Sequence, residues 1–108
     1  QAAKGSVHDQ RHMWATLVER FHAELEPHFR IEETGLLVAL SEAGEAELVE
    51  RTLTEHEDMR GMISQDQPEN LARFAELLTA HIRFEEQTLF ARAQDLLGPD
   101  QLTKLVVA

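Results

Sequence analysis

The chain has 108 residues, 43% hydrophobic and 28% charged, with a net charge of −10 and no cysteine; this suits one globular domain with a single modest core. So acidic a balance argues against nucleic acid and anionic membrane surfaces, which need clustered Lys and Arg, and most of the excess carboxylates read as a solvated face. Disulfides, thiolate metal sites and a thiol nucleophile are excluded. The apolar runs are too short and too often broken by charge to span a bilayer, and no secretory signal is visible, so a cytoplasmic location is expected.

The opening Gln-Ala-Ala-Lys-Gly lacks a Met and reads as the last turn of a helix, with Lys at the negative end of the dipole and Gly just beyond. Residues 1–5 are therefore expected to be the remnant of a preceding helix in a longer protein. Scarce proline, absent β-branched alternation and abundant Leu, Ala, Glu, Arg and Gln make the rest helical. Ser6-Val7-His8-Asp9 is a variant capping box opening a first helix that runs to about Ala39 or Leu40. Pro27 inside it should kink the helix or loosen a turn. After a break at Ser41-Glu42-Ala43-Gly44, a second helix runs from about Glu45 to Ile63 or Ser64.

Asp66-Gln67-Pro68-Glu69 places a cap, a first-turn Pro and a first-turn acid ahead of a third helix, expected from Pro68 to about Leu97. Gly98 stops it, and Pro99 opens a short final helix within residues 98–108. Long helices joined by short breaks predict an all-α, antiparallel up-down bundle. Three such helices leave one side poorly covered, so a fourth is expected from the missing N-terminus or from a second subunit, as a possible homodimer.

An internal repeat carries the chemistry. Phe21-x3-Leu25-x2-His28-x-Arg30-x-Glu32-Glu33-x2-Leu36 recurs as Phe74-x3-Leu78-x2-His81-x-Arg83-x-Glu85-Glu86-x2-Leu89, seven positions matching at a constant offset of 53. Residues four apart share a helix face, so His28 pairs with Glu32 and His81 with Glu85. Around the first pair that face holds Trp14, Leu17, Phe21, Leu25 and Ile31. Around the second it holds Phe74, Leu77, Leu78, Phe84 and Thr88. On the middle helix His56 is flanked by Val49, Thr52, Leu53, Met59 and Ile63. Three imidazoles and two carboxylates thus converge on an apolar interior.

A lone core histidine is usually satisfied by a neighbour, but buried carboxylates lose several kcal/mol of solvation unless partnered. A bound cation satisfies all five groups together. Mixed imidazole and carboxylate suits Fe, Mn or Zn, whereas Ca and Mg want oxygen alone. Inward carboxylates with helical His partners also fit a pair of ions bridged by carboxylates.

"PHFRIEE", "TEHEDMR" and "AHIRFEEQTLF", on successive helices, resemble the motifs of the second, third and fourth helices of the haemerythrin-like, or HHE cation-binding, family over about residues 9 to 97. The resemblance implies an antiparallel four-helix bundle around a non-haem di-iron centre. In it His28, His56 and His81 are terminal ligands, while Glu32 and Glu85 bridge two Fe ions beside an oxo or hydroxo group. It implies a site that binds dioxygen or a related small ligand, or senses redox or iron state; alternatives are peroxide or nitric oxide chemistry, or a helical association module with a vestigial site.

The sequence departs from the family twice. The helix that supplies a further His is lacking, and Thr52 and Arg60 stand where the oxygen carriers have a second third-helix His. Two octahedral ions need about twelve positions, of which these ligands and a bridging oxygen fill nine. Glu33, Glu86, His8 and His12 are candidates for the rest, along with solvent and the missing helix. His22 is expected to face outward, Trp14 and the methionines to pack, and Arg30 and Arg83 to pair with Glu33 and Glu86.

Overall fold

The computed structural model describes residues 6–107, so the expected remnant at residues 1–5 lies outside the described residues. Three long helices dominate. Helix α1 (residues 6–42) is continuous, α2 spans Ala46–Gln65, and α3 (residues 71–97) comes after a tight turn at Pro68–Asn70. The run Phe90–Val107 is divided at Gly98, whose φ of 79° and ψ of 161° are non-helical, leaving a short α4 (residues 99–107). The start of α1 packs near the start of α3, and its end lies beside the start of α2 and the far part of α3. Helices α1 and α3 are therefore parallel, with α2 antiparallel to both. The fourth long helix that the resemblance implied is not among the described residues.

The helix ends obey the local chemistry. Gly44 at φ 94° closes α1: Glu45 N–H reaches Leu40 O at 2.9 Å and Gly44 N–H reaches Ser41 O at 3.1 Å. This pair of hydrogen bonds satisfies carbonyls that would otherwise be orphaned. Asp66 ends α2 in the left-handed region at φ 55°, and its carboxylate accepts the Trp14 indole N–H at 2.8 Å. Trp14 thereby ties α1 to the α2–α3 turn.

Among the described residues, three turns are wider than α-helical. The Glu26 N–H bonds Phe21 O, five residues back, just ahead of Pro27, so the expected loosening at the proline takes the form of a π turn. The others begin at Glu32, bonded from Leu37, and at Glu85, bonded from Phe90. They sit at matching positions, so the repeat extends to the backbone. Each wide turn holds one extra residue and rotates the helix beyond it. That is why Leu89 is buried and Thr88, expected on the inner face, is exposed.

The interior has two apolar parts. Trp14, Phe21, Phe29, Met59, Met62, Ile63 and Phe74 form one; Leu36, Leu37, Leu40, Phe84, Leu89 and Ala93 form the other. Among the described residues, the buried polar ones are Glu32, Thr52, His56, His81 and Glu85, three from the repeat and two from α2.

Candidate metal centre

The repeat brings its residues inward unequally, because α2 covers α1 and α3 on non-equivalent sides. Phe29 stacks on His56 of α2, with ring centroids 3.9 Å apart and planes 9° from parallel. Its counterpart in the repeat, Ile82, is 44% exposed. Conversely, Phe84 is buried with the Arg51 guanidinium of α2 4.0 Å over its ring, while its counterpart Ile31 is 39% exposed. Helix α2 therefore lies on the Phe29 side of α1 and the Phe84 side of α3. Ile31 was expected to face the core, and so was Leu53; both are exposed, since the inward face of a helix depends on where its neighbour lies.

The same geometry sorts the ligand candidates. Glu32, His56, His81 and Glu85 are all buried, and each offers a donor atom within 4.8 Å of the others. His28 is outside this tetrad. Its side chain is 45% exposed, although Nε2 approaches Glu32 Oε2 at 3.1 Å, so it sits at the rim rather than in the core as expected. His56 Nε2 lies 3.3 Å from Glu32 Oε1, and His81 Nε2 lies 3.1 Å from Glu85 Oε2.

These approaches are close but not well directed. Both Glu32 oxygens, Glu85 Oε2 and the Nε2 atoms of His56 and His81 find no hydrogen-bond partner among the described residues. Leaving such atoms bare in a core costs about 1–3 kcal/mol each, more where charged. A cation removes that penalty, so the residues present fit a metal: the tetrad can ligate one ion.

Both buried imidazoles are held from behind. His56 Nδ1 is 2.7 Å from Glu33 Oε2, and His81 Nδ1 is 2.6 Å from Glu55 Oε1. A carboxylate behind the ring orients the imidazole and raises the basicity of its other nitrogen. Arg60 clasps Glu33 through both terminal nitrogens, at 2.9 and 3.1 Å, and reaches Glu26 at 2.7 Å and Glu57 at 2.7 Å. Arg51 holds Glu55 at 3.0 Å.

Burial pushes the Glu32 carboxyl above the usual carboxylate range, with His56 opposing and the facing Glu85 adding to the rise. Burial also acts upward on Glu85, but His81 and Glu32 outweigh it and hold it below. For His81 burial acts downward, yet Glu85 and Glu55 leave it raised. Burial likewise acts upward on Glu33, where Arg60 and His56 outweigh it and hold it below the usual carboxylate range.

The family model of the hemerythrin HHE cation binding domain matches residues 1–93. The chain belongs to that family. No curated protein and no solved structure matches it.

Other residues of this haemerythrin-type chain depart from expectation or meet it one by one. Glu33 stands behind His56 instead of beside the tetrad, and Glu86, His8 and His12 are exposed. Arg30 bonds Glu26, not Glu33. Thr52 donates to Leu48 O at 2.8 Å, satisfied within its own helix. His22 faces outward, Trp14 is core, and Met59 and Met62 pack, whereas Met13 is 56% exposed. No described helix is long and apolar enough to cross a membrane.

Sequence reasoning missed Glu55 and Arg51, and it gave Arg60 no role behind His56. Glu55 directly precedes His56 yet serves His81, since neighbours one apart on a helix do not face each other, so no local signal marked it.

Proposed function

We propose that this chain is a metal-binding module in which Glu32, His56, His81 and Glu85 hold one ion, iron ahead of zinc or manganese. The supporting observation is the set of five buried donor atoms, turned toward one another without hydrogen bonds. Two imidazoles and two carboxylates suit a borderline cation better than calcium or magnesium. Iron there would supply a change of oxidation state and a position for dioxygen or a related small ligand. The chain's own part is to exclude bulk water and hold the donors rigidly between two apolar clusters.

A second, two-ion reading is favoured by one detail. The Glu32 oxygens face different imidazoles, Oε1 toward His56 and Oε2 toward His28, as expected of a carboxylate spanning two centres. His28 would then serve the outer ion together with Glu32 and Glu85. Further donors would have to come from beyond the described residues, another segment or a second copy.

Elemental analysis of the purified chain after anaerobic loading with ferrous iron separates these readings. One iron per chain, lost in His81→Ala and kept in His28→Ala, supports the single-ion module. Two irons, reduced to one by His28→Ala, supports the paired centre. Absence of bound iron, zinc and manganese would leave helix association as the function.

A further inference from the structure

We infer that Arg60 is a positioning residue for the metal centre: by clasping Glu33 it fixes the hydrogen of His56 on Nδ1 and turns the Nε2 lone pair inward. The geometry makes the case. Both Glu33 oxygens accept from one guanidinium, at 2.9 and 3.1 Å, in the two-pronged arrangement that binds carboxylates most firmly. Guanidinium is never neutral in proteins. A carboxylate so engaged remains an acceptor, and an acceptor 2.7 Å from His56 Nδ1 requires that nitrogen to carry the hydrogen. In the neutral ring Nε2 is then bare, and it faces Glu32 Oε1 at 3.3 Å.

Its setting separates Arg60 from an ordinary surface cation. Its side chain is 22% exposed, and its Nε simultaneously bonds Glu26 of α1 at 2.7 Å. Neighbours on two helices therefore limit its swing. His81 has a parallel support in Arg51–Glu55, but Arg51 is 58% exposed and contacts Glu55 through Nε. The two imidazoles thus answer to different arginines on the same helix, so a change at Arg60 should reach His56 and leave His81 alone. A residue that merely tied α1 to α2 would have no such selectivity.

The consequence for a bound ion rests on the metal-binding reading; the placement of the hydrogen does not, so the two are tested apart. Long-range ¹⁵N–¹H spectra of the metal-free chain, at a pH where imidazoles are neutral, report which ring nitrogen carries hydrogen. Wild type should show the Nδ1–H form for both His56 and His81. In Arg60→Met the His56 signals should move toward a mixture of forms while those of His81 stay in place. Glu26→Ala, which removes one of the two contacts Arg60 makes to α1 but leaves its clasp on Glu33, should match wild type. Arg60→Lys should restore most of the His56 pattern and also serves if the Met variant does not fold.

An unchanged His56 in Arg60→Met, or equal disturbance of His56 and His81, would overturn the inference. So would a Glu26→Ala spectrum like that of Arg60→Met. Zinc titration of the same proteins should show about 10–100-fold weaker binding in Arg60→Met, the usual consequence of losing support behind a ligand. If wild type takes up no zinc or iron while the selective His56 shift is present, the metal reading falls and the role of Arg60 stands.

Discussion

Glu55 belongs to α2 yet acts on α3, its carboxylate oxygen 2.6 Å from His81 Nδ1. Glu55→Ala should leave the fold intact, because the residue is only partly buried, and weaken zinc or iron binding by about 10–100-fold. Competition titration against a chelator of known affinity checks this; equal affinity would mean that His81 needs no support. The inner groups of the site were legible in sequence because a four-residue spacing on one helix brings His81 against Glu85. The supports were not. Glu33 meets His56 across 23 positions and Glu55 meets His81 across 26, contacts that exist only once helices are docked. His28 obeys the same spacing as His81, yet its side chain is 45% exposed, because burial depends on which flank a neighbouring helix covers.

Helix boundaries were read to within two or three residues, since glycine and proline declare their backbone needs locally. Gly44 and Gly61 show how context reverses one substitution. Gly44 stands at φ 94°, where a side chain is strained, whereas Gly61 lies within α2 with nothing within 4 Å of an added Cβ. Gly44→Ala should destabilise by about 1 kcal/mol, and Gly61→Ala should stabilise by about 1 kcal/mol. Urea unfolding of both variants decides it, and shifts of the same sign would contradict the assignment. The wide turns at Glu32 and Glu85 were invisible beforehand, since nothing in "EETGL" or "EEQTL" marks a π turn as the proline marks the one before it.

For the molecule as a whole, the long axis is 50 Å and the other two are 21 Å, a rod of helices filled by two apolar clusters. The sequence showed that the repeat halves match, but not that α2 treats them differently. Phe84→Ala should cost about 3–5 kcal/mol, because the ring is buried between α3 and α2. Ile82→Ala should change stability by about 0.5 kcal/mol or less in the isolated chain, although its repeat partner Phe29 is a core residue. Thermal melts of the two variants make the comparison. A large loss at Ile82 would mean that the Ile31–Ile82 side is covered in solution.

A π turn amounts to a one-residue insertion held inside a helix, and that makes the chain tolerant where it would be expected to be brittle. Deleting exposed Thr34 lets residues 32–36 relax into an ordinary turn, with both flanks keeping their phase. The same deletion at exposed Asp58 of α2 would swing everything beyond it by about 100° and draw Met62 and Ile63 out of the core. Chain length next to Glu32 is therefore adjustable in a way that it is not beside His56.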